Sequence, residues 1–142
     1  MTGLYFAYGS NLDARQMRAR CPSSLPLCRA RLPHHTLDFT YYSTRWRGGA
    51  ADVRPRAGDV VWGVVYQLDA PEIAVLDGFE VGYDRISVDV VDDRSRVHRA
   101  LSYTVREKGS FPPSDVYLEK LLRWGERWRF PADYLESVRG RG

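Results

Sequence analysis

The chain has no long apolar run and only two cysteines, Cys21 and Cys28, in its 142 residues. A membrane-spanning helix needs roughly 20 apolar residues, so we expect no membrane insertion. Two cysteines alone cannot make a zinc site, and a chain of this length needs no disulfide to fold. Met1-Thr2-Gly3 leads straight into Leu4 to Tyr8, without the basic and apolar regions of a signal peptide. We therefore expect free thiols and a cytoplasmic protein.

Lysine is also scarce: of the 21 Lys and Arg residues, 19 are arginines and only Lys108 and Lys120 are lysines. Together with 13% aromatic residues, this bias first suggests a nucleic-acid binder. The arginines are spread along the chain and interleaved with 18 acidic residues, and the densest group has three arginines within residues 94–99. Nucleic-acid binding needs one basic face, so we expect no nucleic-acid partner.

Apolar alternation and turn residues predict one α+β domain over residues 1–142, with a mixed, strongly curved sheet that can close into a small barrel. About seven short strands are expected, at 4–8, 27–32, 36–42, 50–54, 60–68, 83–91 and 97–105. The nearly continuous apolar run at 60–68 indicates a central strand. Helices are expected at 12–20, after Asp69 as far as Gly78, after Ser114 to about Arg127, and at 132–138, before a frayed tail at 139–142.

A glycine turn stands between the first predicted strand and the first helix, in Tyr8-Gly9-Ser10-Asn11-Leu12. The backbone N–H groups of a helix start lack internal partners and suit a carboxylate or phosphate. Ser10 followed by Asp13 has the form of a helix N-cap with an acid three residues on. Two interpretations stay open here: a capped turn with no ligand, or an anion site. No glycine-rich nucleotide motif is present.

Among the six glutamates, Glu80 differs because apolar residues, Phe79 and Val81, flank it. A carboxylate in apolar surroundings tends to have a raised pKa, which suits general acid–base chemistry. Simple alternation favours the opposite arrangement, in which Glu80 points outward while Phe79 and Val81 point inward. Two histidines, His34 and His35, have no third residue at metal-ligand spacing and are expected at the surface or the rim of a pocket.

Several segments follow one another in an order typical of one family. They are Leu4-Tyr5-Phe6-Ala7-Tyr8-Gly9-Ser10-Asn11-Leu12, Ala30-Arg31-Leu32 with Leu37-Asp38-Phe39, Trp46-Arg47-Gly48-Gly49-Ala50-Ala51, Gly58-Asp59-Val60-Val61-Trp62-Gly63-Val64-Val65-Tyr66, Leu76-Asp77-Gly78-Phe79-Glu80, and Ser102-Tyr103 with Pro112-Pro113-Ser114 and Tyr117. In this series, which covers essentially the whole chain, the sequence resembles the gamma-glutamylcyclotransferases.

The resemblance implies a small distorted β-barrel with flanking helices and a pocket at one end. It also implies an enzyme that releases 5-oxoproline from gamma-glutamyl amides, without a metal or other cofactor. Glu80 would be the catalytic acid–base residue. The substrate would be bound by Tyr5, Phe6, Ala7, Tyr8, Gly9, Ser10, Asn11, Gly49 and Tyr117. Backbone donors near Gly9 or Gly49 would stabilise the oxyanion.

The chain departs from the family pattern directly after Glu80, where many members have Gly and a longer loop. The identity of the leaving amine therefore stays open. It can be an amino acid, another amine or a specialised metabolite that carries a gamma-glutamyl protecting group. A non-catalytic module that binds the same carboxylate is the other alternative. Arg47 and Arg85 are expected near the pocket, where they would favour acidic substrates. The oligomeric state stays open, with a homodimer as one option.

Overall fold

Five β-strands close into a barrel in the computed structural model, which describes residues 2–141. The strands are β1 (Thr2–Ala7), β2 (Leu25–Ser43), β3 (Gly48–Asp69), β4 (Tyr83–Asp92) and β5 (Val97–Val105). A 3-10 helix (Ser10–Leu12) and four α-helices flank them: α1 (Ala14–Arg20), α2 (Ala70–Phe79), α3 (Asp115–Arg127) and α4 (Ala132–Gly140). Around the barrel the order is β1-β3-β2-β4-β5, antiparallel except where β5 meets β1. The predicted α+β class and the mixed barrel with flanking helices are confirmed.

The barrel has five strands rather than about seven, because two pairs of predicted strands are continuous. The segments 27–32 and 36–42 both lie in β2, and the segments 50–54 and 60–68 both lie in β3. The residues predicted as turns bend this paired ribbon instead of ending it.

A wide bulge produces that bend. Pairing passes directly from Pro33 with Val60 to His35 with Pro55, so that residues 56–59 of β3 lie opposite His34 alone. Both sides adopt positive φ angles there, 58° at His34 and 83° at Gly58. The bulge therefore absorbs the turn-forming residues while the ladder resumes on either side.

The predicted central position of residues 60–68 is confirmed, since β3 pairs with β1 along one edge and with β2 along the other. Val61, Val64 and Val65 of this strand are fully buried. One hydrophobic core joins the barrel interior to the apolar faces of α3 and α4, which contribute Leu121 and Val138 among other residues.

The first helix begins later than predicted, and its cap is Asp13 rather than Ser10. The Asp13 carboxylate accepts hydrogen bonds from the backbone N–H groups of Arg15 and Gln16. Ser10 instead starts the 3-10 turn, which follows Gly9. A carboxylate caps exposed helix N–H groups well, and this displaces the helix start by one short turn.

The later helices agree with the predictions except at the end of the chain. Ser114 caps α3 by accepting the N–H of Tyr117. Helix α4 continues to Gly140, so a frayed tail from residue 139 is wrong for residues 139 and 140, while residue 142 lies outside the described part. Val138 is buried and Arg141 pairs with Asp59, and both contacts anchor this end. None of the helices within residues 2–141 has the length and hydropathy to cross a membrane.

Candidate active site

A cavity of about 420 Å³ opens at the end of the barrel where β1, β2 and β5 finish and β3 and β4 begin. Nine aromatic side chains line it: Tyr5, Tyr8, Tyr41, Tyr42, Trp46, Phe79, Tyr83, Tyr103 and Tyr117. Among the residues that line it within 2–141, Glu80 is the only acid, Arg20 and Arg45 are the only bases, and no histidine or cysteine is present. The cavity therefore surrounds a few charges with weakly polar walls.

Glu80 lines this cavity from the position directly after α2. Its backbone is held on both sides: its N–H donates to the Asp77 carbonyl oxygen at 3.1 Å, and its own carbonyl accepts the N–H of Tyr83 at 3.1 Å. Phe79 and Val81 are 48% and 70% exposed. The arrangement differs from simple alternation, because the acid lines the cavity while its apolar neighbours border the same cavity and stay largely exposed.

Burial in the cavity raises the pKa of Glu80 to about 7. The positive charge of Arg20 opposes this shift, and the negative charge of Asp77 adds to it. The carboxylate takes part in none of the side-chain hydrogen bonds formed among residues 2–141. An acid that is poised near neutrality and has no protein partner is suited to exchange a proton with a bound molecule.

Only part of the predicted pocket wall along β1 lines the cavity. Tyr5 and Tyr8 line the cavity, whereas Phe6 and Ala7 do not. Phe6 is fully buried in the core, and its carbonyl oxygen accepts the Ser102 hydroxyl. Phe6 and Ala7 are both fully buried, so their side chains pack in the core instead of lining the cavity.

The turn from Gly9 to Asn11 borders the cavity. Asn11 is buried, and its side chain connects two elements of the wall. Its Nδ2 donates to the Tyr5 hydroxyl at 3.1 Å, and its Oδ1 accepts the Arg20 guanidinium at 3.2 Å. Asn11 therefore positions a hydroxyl and a cation at the cavity edge.

Gly49 is not among the lining residues, which corrects the expectation that it contacts the substrate. Its N–H donates to the carbonyl oxygen of Pro112 at 2.9 Å, so it is not free to stabilise an oxyanion. A Cβ at this position would collide with the Phe111 carbonyl oxygen. Glycine is needed here because the segment before α3 crosses β3 at close range.

Tyr117, on α3, lines the cavity. Its hydroxyl accepts the Ala51 N–H at 2.9 Å, just as the Tyr5 hydroxyl accepts Asn11. Burial raises the pKa of both phenols, so they stay protonated. Within residues 2–141 neither hydroxyl donates to a protein acceptor. Each O–H is therefore available to a ligand oxygen.

The cations of the cavity are Arg20 and Arg45, not Arg47 and Arg85. Arg85 is exposed and pairs with Asp77 outside the cavity, and Arg47 lies in a turn with a φ of 57°. Arg20 stacks on the Phe79 ring at 4.3 Å. Arg45 directly precedes the family motif that begins at Trp46, so its place near the cavity could have been inferred from the sequence. Arg20 has no comparable local signal, because helix α1 alone brings it to the cavity.

The cavity thus holds one acid that accepts no side-chain hydrogen bond and two phenol hydroxyls that donate to no protein acceptor within residues 2–141, an arrangement suited to proton exchange with a small molecule. The family model described as "Gamma-glutamyl cyclotransferase, AIG2-like" matches residues 5–125. The chain is 35% identical to a mouse gamma-glutamylcyclotransferase, over 97% of this chain and 78% of the relative, and 34% identical to a human gamma-glutamylcyclotransferase, over 96% and 77%.

A solved structure of a gamma-glutamyl cyclotransferase superimposes with a TM-score of 0.92 at 33% identity, over 98% of this chain and 87% of the other. YkqA from Bacillus subtilis superimposes with a TM-score of 0.79 at 25% identity, over 98% and 53%. The chain belongs to the gamma-glutamyl cyclotransferase, AIG2-like family. The predicted family membership is confirmed.

Proposed function

We propose that the protein is a gamma-glutamyl cyclotransferase that releases 5-oxoproline and a free amine from gamma-glutamyl amides. The observation that carries this proposal is the Glu80 carboxyl, which lines an aromatic cavity, accepts no side-chain hydrogen bond within residues 2–141 and has a pKa of about 7. At neutral pH such a group both accepts and returns a proton.

The reaction joins the α-amine nitrogen of the substrate to its own γ-carbonyl carbon. Glu80 takes a proton from the α-ammonium, the freed amine attacks, and an oxyanion forms on the γ-oxygen. The bond to the departing nitrogen then breaks as the Glu80 carboxylic acid protonates that nitrogen, and the regenerated carboxylate removes the second proton from the ring nitrogen and passes it to the released amine. Two protons pass overall from the attacking to the departing nitrogen, and no water is consumed. Because both reacting groups belong to one molecule, holding it folded supplies much of the rate.

The substrate contacts follow from the free donors of the cavity. The α-carboxylate would bind at the backbone N–H groups from Gly9 to Asn11, with Arg20 beside them. The hydroxyls of Tyr5 and Tyr117 would donate to oxygens of the glutamyl group. With the Gly49 N–H engaged elsewhere, one of these phenols would also be the oxyanion donor.

We also propose that residues 1–142 work as one domain, in the cytoplasm, without a cofactor taking part in the reaction. A single hydrophobic core connects barrel and helices. Both cysteines are free thiols, which suits a reducing compartment. The steps above need only a proton carrier and neutral donors.

The test is 5-oxoproline release by the wild type and Glu80→Gln over a panel of gamma-glutamyl amides with amino-acid and simple-amine leaving groups. Glutamine keeps the size of the side chain but cannot carry the proton. We expect kcat to fall by about 10²–10⁴-fold with little change in KM. Glu136→Gln, which alters an exposed glutamate on α4, is the matched control and should retain wild-type kcat.

Wild-type turnover by Glu80→Gln would overturn the mechanism. Absence of 5-oxoproline from every amide with the wild type, together with tight binding of those amides, would overturn the activity and favour the non-catalytic binding module.

A further inference from the structure

Three side chains of metal-ligating type meet at the end of the barrel opposite the cavity. They are Cys28 near the start of β2, Asp92 at the end of β4 and His98 at the start of β5. Their ligand atoms all lie within 4.8 Å of one another. Strand β4 begins at the cavity with Tyr83 and spans about 30 Å before it reaches Asp92, at about 3.3 Å per residue. This cluster is therefore separate from the proposed active site.

We propose that Cys28, Asp92 and His98 form a zinc-binding site. A thiolate, an imidazole nitrogen and a carboxylate oxygen are the three ligand types that Zn²⁺ takes in proteins. Three protein ligands leave the fourth tetrahedral position to water. On binding, the Cys28 thiol releases its proton to solvent, and the two anionic ligands balance the charge of the ion.

The orientation of Asp92 favours this arrangement. One carboxylate oxygen, Oδ1, accepts the backbone N–H groups of Arg94 and Arg96 at 2.9 Å each. The other, Oδ2, is left facing His98 Nε2 at 2.8 Å. Groups that hold a ligand from behind in this way fix its direction toward a metal. Ligand atoms around a tetrahedral zinc lie roughly 3.3–3.7 Å apart, so a small side-chain rotation admits the ion.

The electrostatics of the cluster also favour a cation. The Asp92 carboxylate lies within 4.8 Å of the Cys28 sulfur and places a negative charge beside it. Asp93 pairs with Arg29, but Asp92 Oδ2 accepts only the imidazole. The side chains of Asp92 and His98 are 11% and 25% exposed, which leaves a path for the ion to enter.

The position of the site suits a bound zinc to stabilise the barrel. Strands β2 and β4 share only two paired positions, Ala30 with Asp92 and Arg31 with Val91. Cys28 lies on one side of this short seam, while Asp92 and His98 lie on the other. A bound zinc would therefore join the two sides of the barrel at one of its weakest ladders.

The experiment titrates chelator-treated, reduced protein with Co²⁺, a spectroscopic probe for zinc sites, and then displaces it with Zn²⁺. We expect one equivalent of Co²⁺ to bind with a thiolate-to-cobalt charge-transfer band, and Zn²⁺ to raise the Tm. Cys28→Ser should lose the band, and His98→Gln should bind at least about tenfold more weakly. Cys21→Ala and His35→Gln should behave as wild type.

Far-ultraviolet circular dichroism establishes that each variant is folded. A missing charge-transfer band in the wild type, or an unchanged band in folded Cys28→Ser, would overturn the proposal. Loss of the band in Cys21→Ala but not in Cys28→Ser would assign the metal to the other thiol and overturn it as well. In these outcomes Asp92 and His98 serve only to hold the turn between β4 and β5. None of the readouts depends on cyclotransferase activity.

Discussion

Two carboxylates, Asp52 and Glu80, stand in or beside the same aromatic cavity with opposite surroundings. Asp52 is fully buried and accepts hydrogen bonds from five donors: the hydroxyls of Thr40 and Thr104, the N–H groups of Val53 and Val105, and the Lys108 ammonium at 2.6 Å. Glu80 accepts none within residues 2–141 and has a pKa of about 7. The fold satisfies one buried acid completely and leaves the other for a ligand.

The difference arises from where each acid lies in the chain. Asp52 is inside β3, where ordered backbone from neighbouring strands supplies donors at fixed positions. Glu80 follows the last residue of α2, on a connector that faces an open cavity. A buried charge with several donors contributes to a unique structure, whereas a buried charge without them is costly and chemically active.

Among the variants that test this comparison, we expect the change at Asp52 to have the largest effect on folding stability. Asp52→Asn places an amide N–H₂ against the Lys108 ammonium and should destabilise the fold by about 3 kcal/mol. The value is at the lower end for a buried ion pair because the Lys108 side chain is 31% exposed and can turn toward water. Urea unfolding measures this free energy. Asp89→Asn, which breaks an exposed pair with Arg99, should cost less than about 1 kcal/mol. Equal losses from both variants would contradict the special role of Asp52.

At Glu80 we expect the opposite effect on the free energy of unfolding, because removal of the charge should stabilise the fold. Its pKa is raised on folding, from 4.5 to about 7, so the protonated form is favoured in the native state. Stability is then lost as pH rises through this interval, because the unfolded carboxyl ionises first. Glu80→Gln removes that loss and should be more stable than wild type by on the order of 2 kcal/mol at pH 8, with little difference near pH 4.5. Unfolding curves at the two pH values measure it. A destabilised variant at pH 8 would contradict the unpaired state of Glu80.

The same pKa predicts the acidic limb of the activity. Only ionised Glu80 accepts the proton of the α-ammonium, so kcat/KM should fall about tenfold per pH unit below a midpoint near 7. Initial rates of 5-oxoproline release between pH 5 and pH 8 give the profile. A midpoint at the ordinary glutamate value of 4.5 would show that burial does not control this group.

The smallest effects should come from the two charges that flank Glu80. Arg20 lowers the pKa of Glu80 and Asp77 raises it. Arg20→Gln should therefore move the acidic midpoint of kcat/KM upward, and Asp77→Asn should move it downward, each by about half a pH unit. The opposite directions distinguish an electrostatic effect from general damage to the site. Shifts of the same sign in both variants would contradict it.

The sequence pattern singled out Glu80, but the apolar surroundings of Glu80 have a different origin from the one expected. Its flanking residues were expected to create the apolar surroundings, yet Phe79 and Val81 are exposed. The surroundings come from tyrosines of β1, β4, β5 and α3, which are distant in sequence. Local neighbours cannot reveal such burial, because a cavity is formed by residues from several elements.

Membership of a family motif likewise did not show which residues line the cavity. Gly49 belongs to a recognised motif, but it allows the segment before α3 to pass close to β3 rather than binding substrate. Arg20 belongs to none of the motifs, but it borders the cavity. A residue can belong to a motif because the packing of the fold requires it or because the chemistry of the site requires it.

The sequence by itself determined the class of fold, the central strand, the starts of α2 and α3 and the single acid that lines the cavity. Those features depend on periodicity, turn residues and a family resemblance, which are properties of residues near one another along the chain. Only the tertiary structure decided that seven predicted strands are five, that Arg20 rather than Arg85 lines the cavity, and that Cys28, Asp92 and His98 lie close together. Each of these depends on barrel closure, which brings residues far apart in sequence to within a few ångströms and sets the charge and burial that each one experiences.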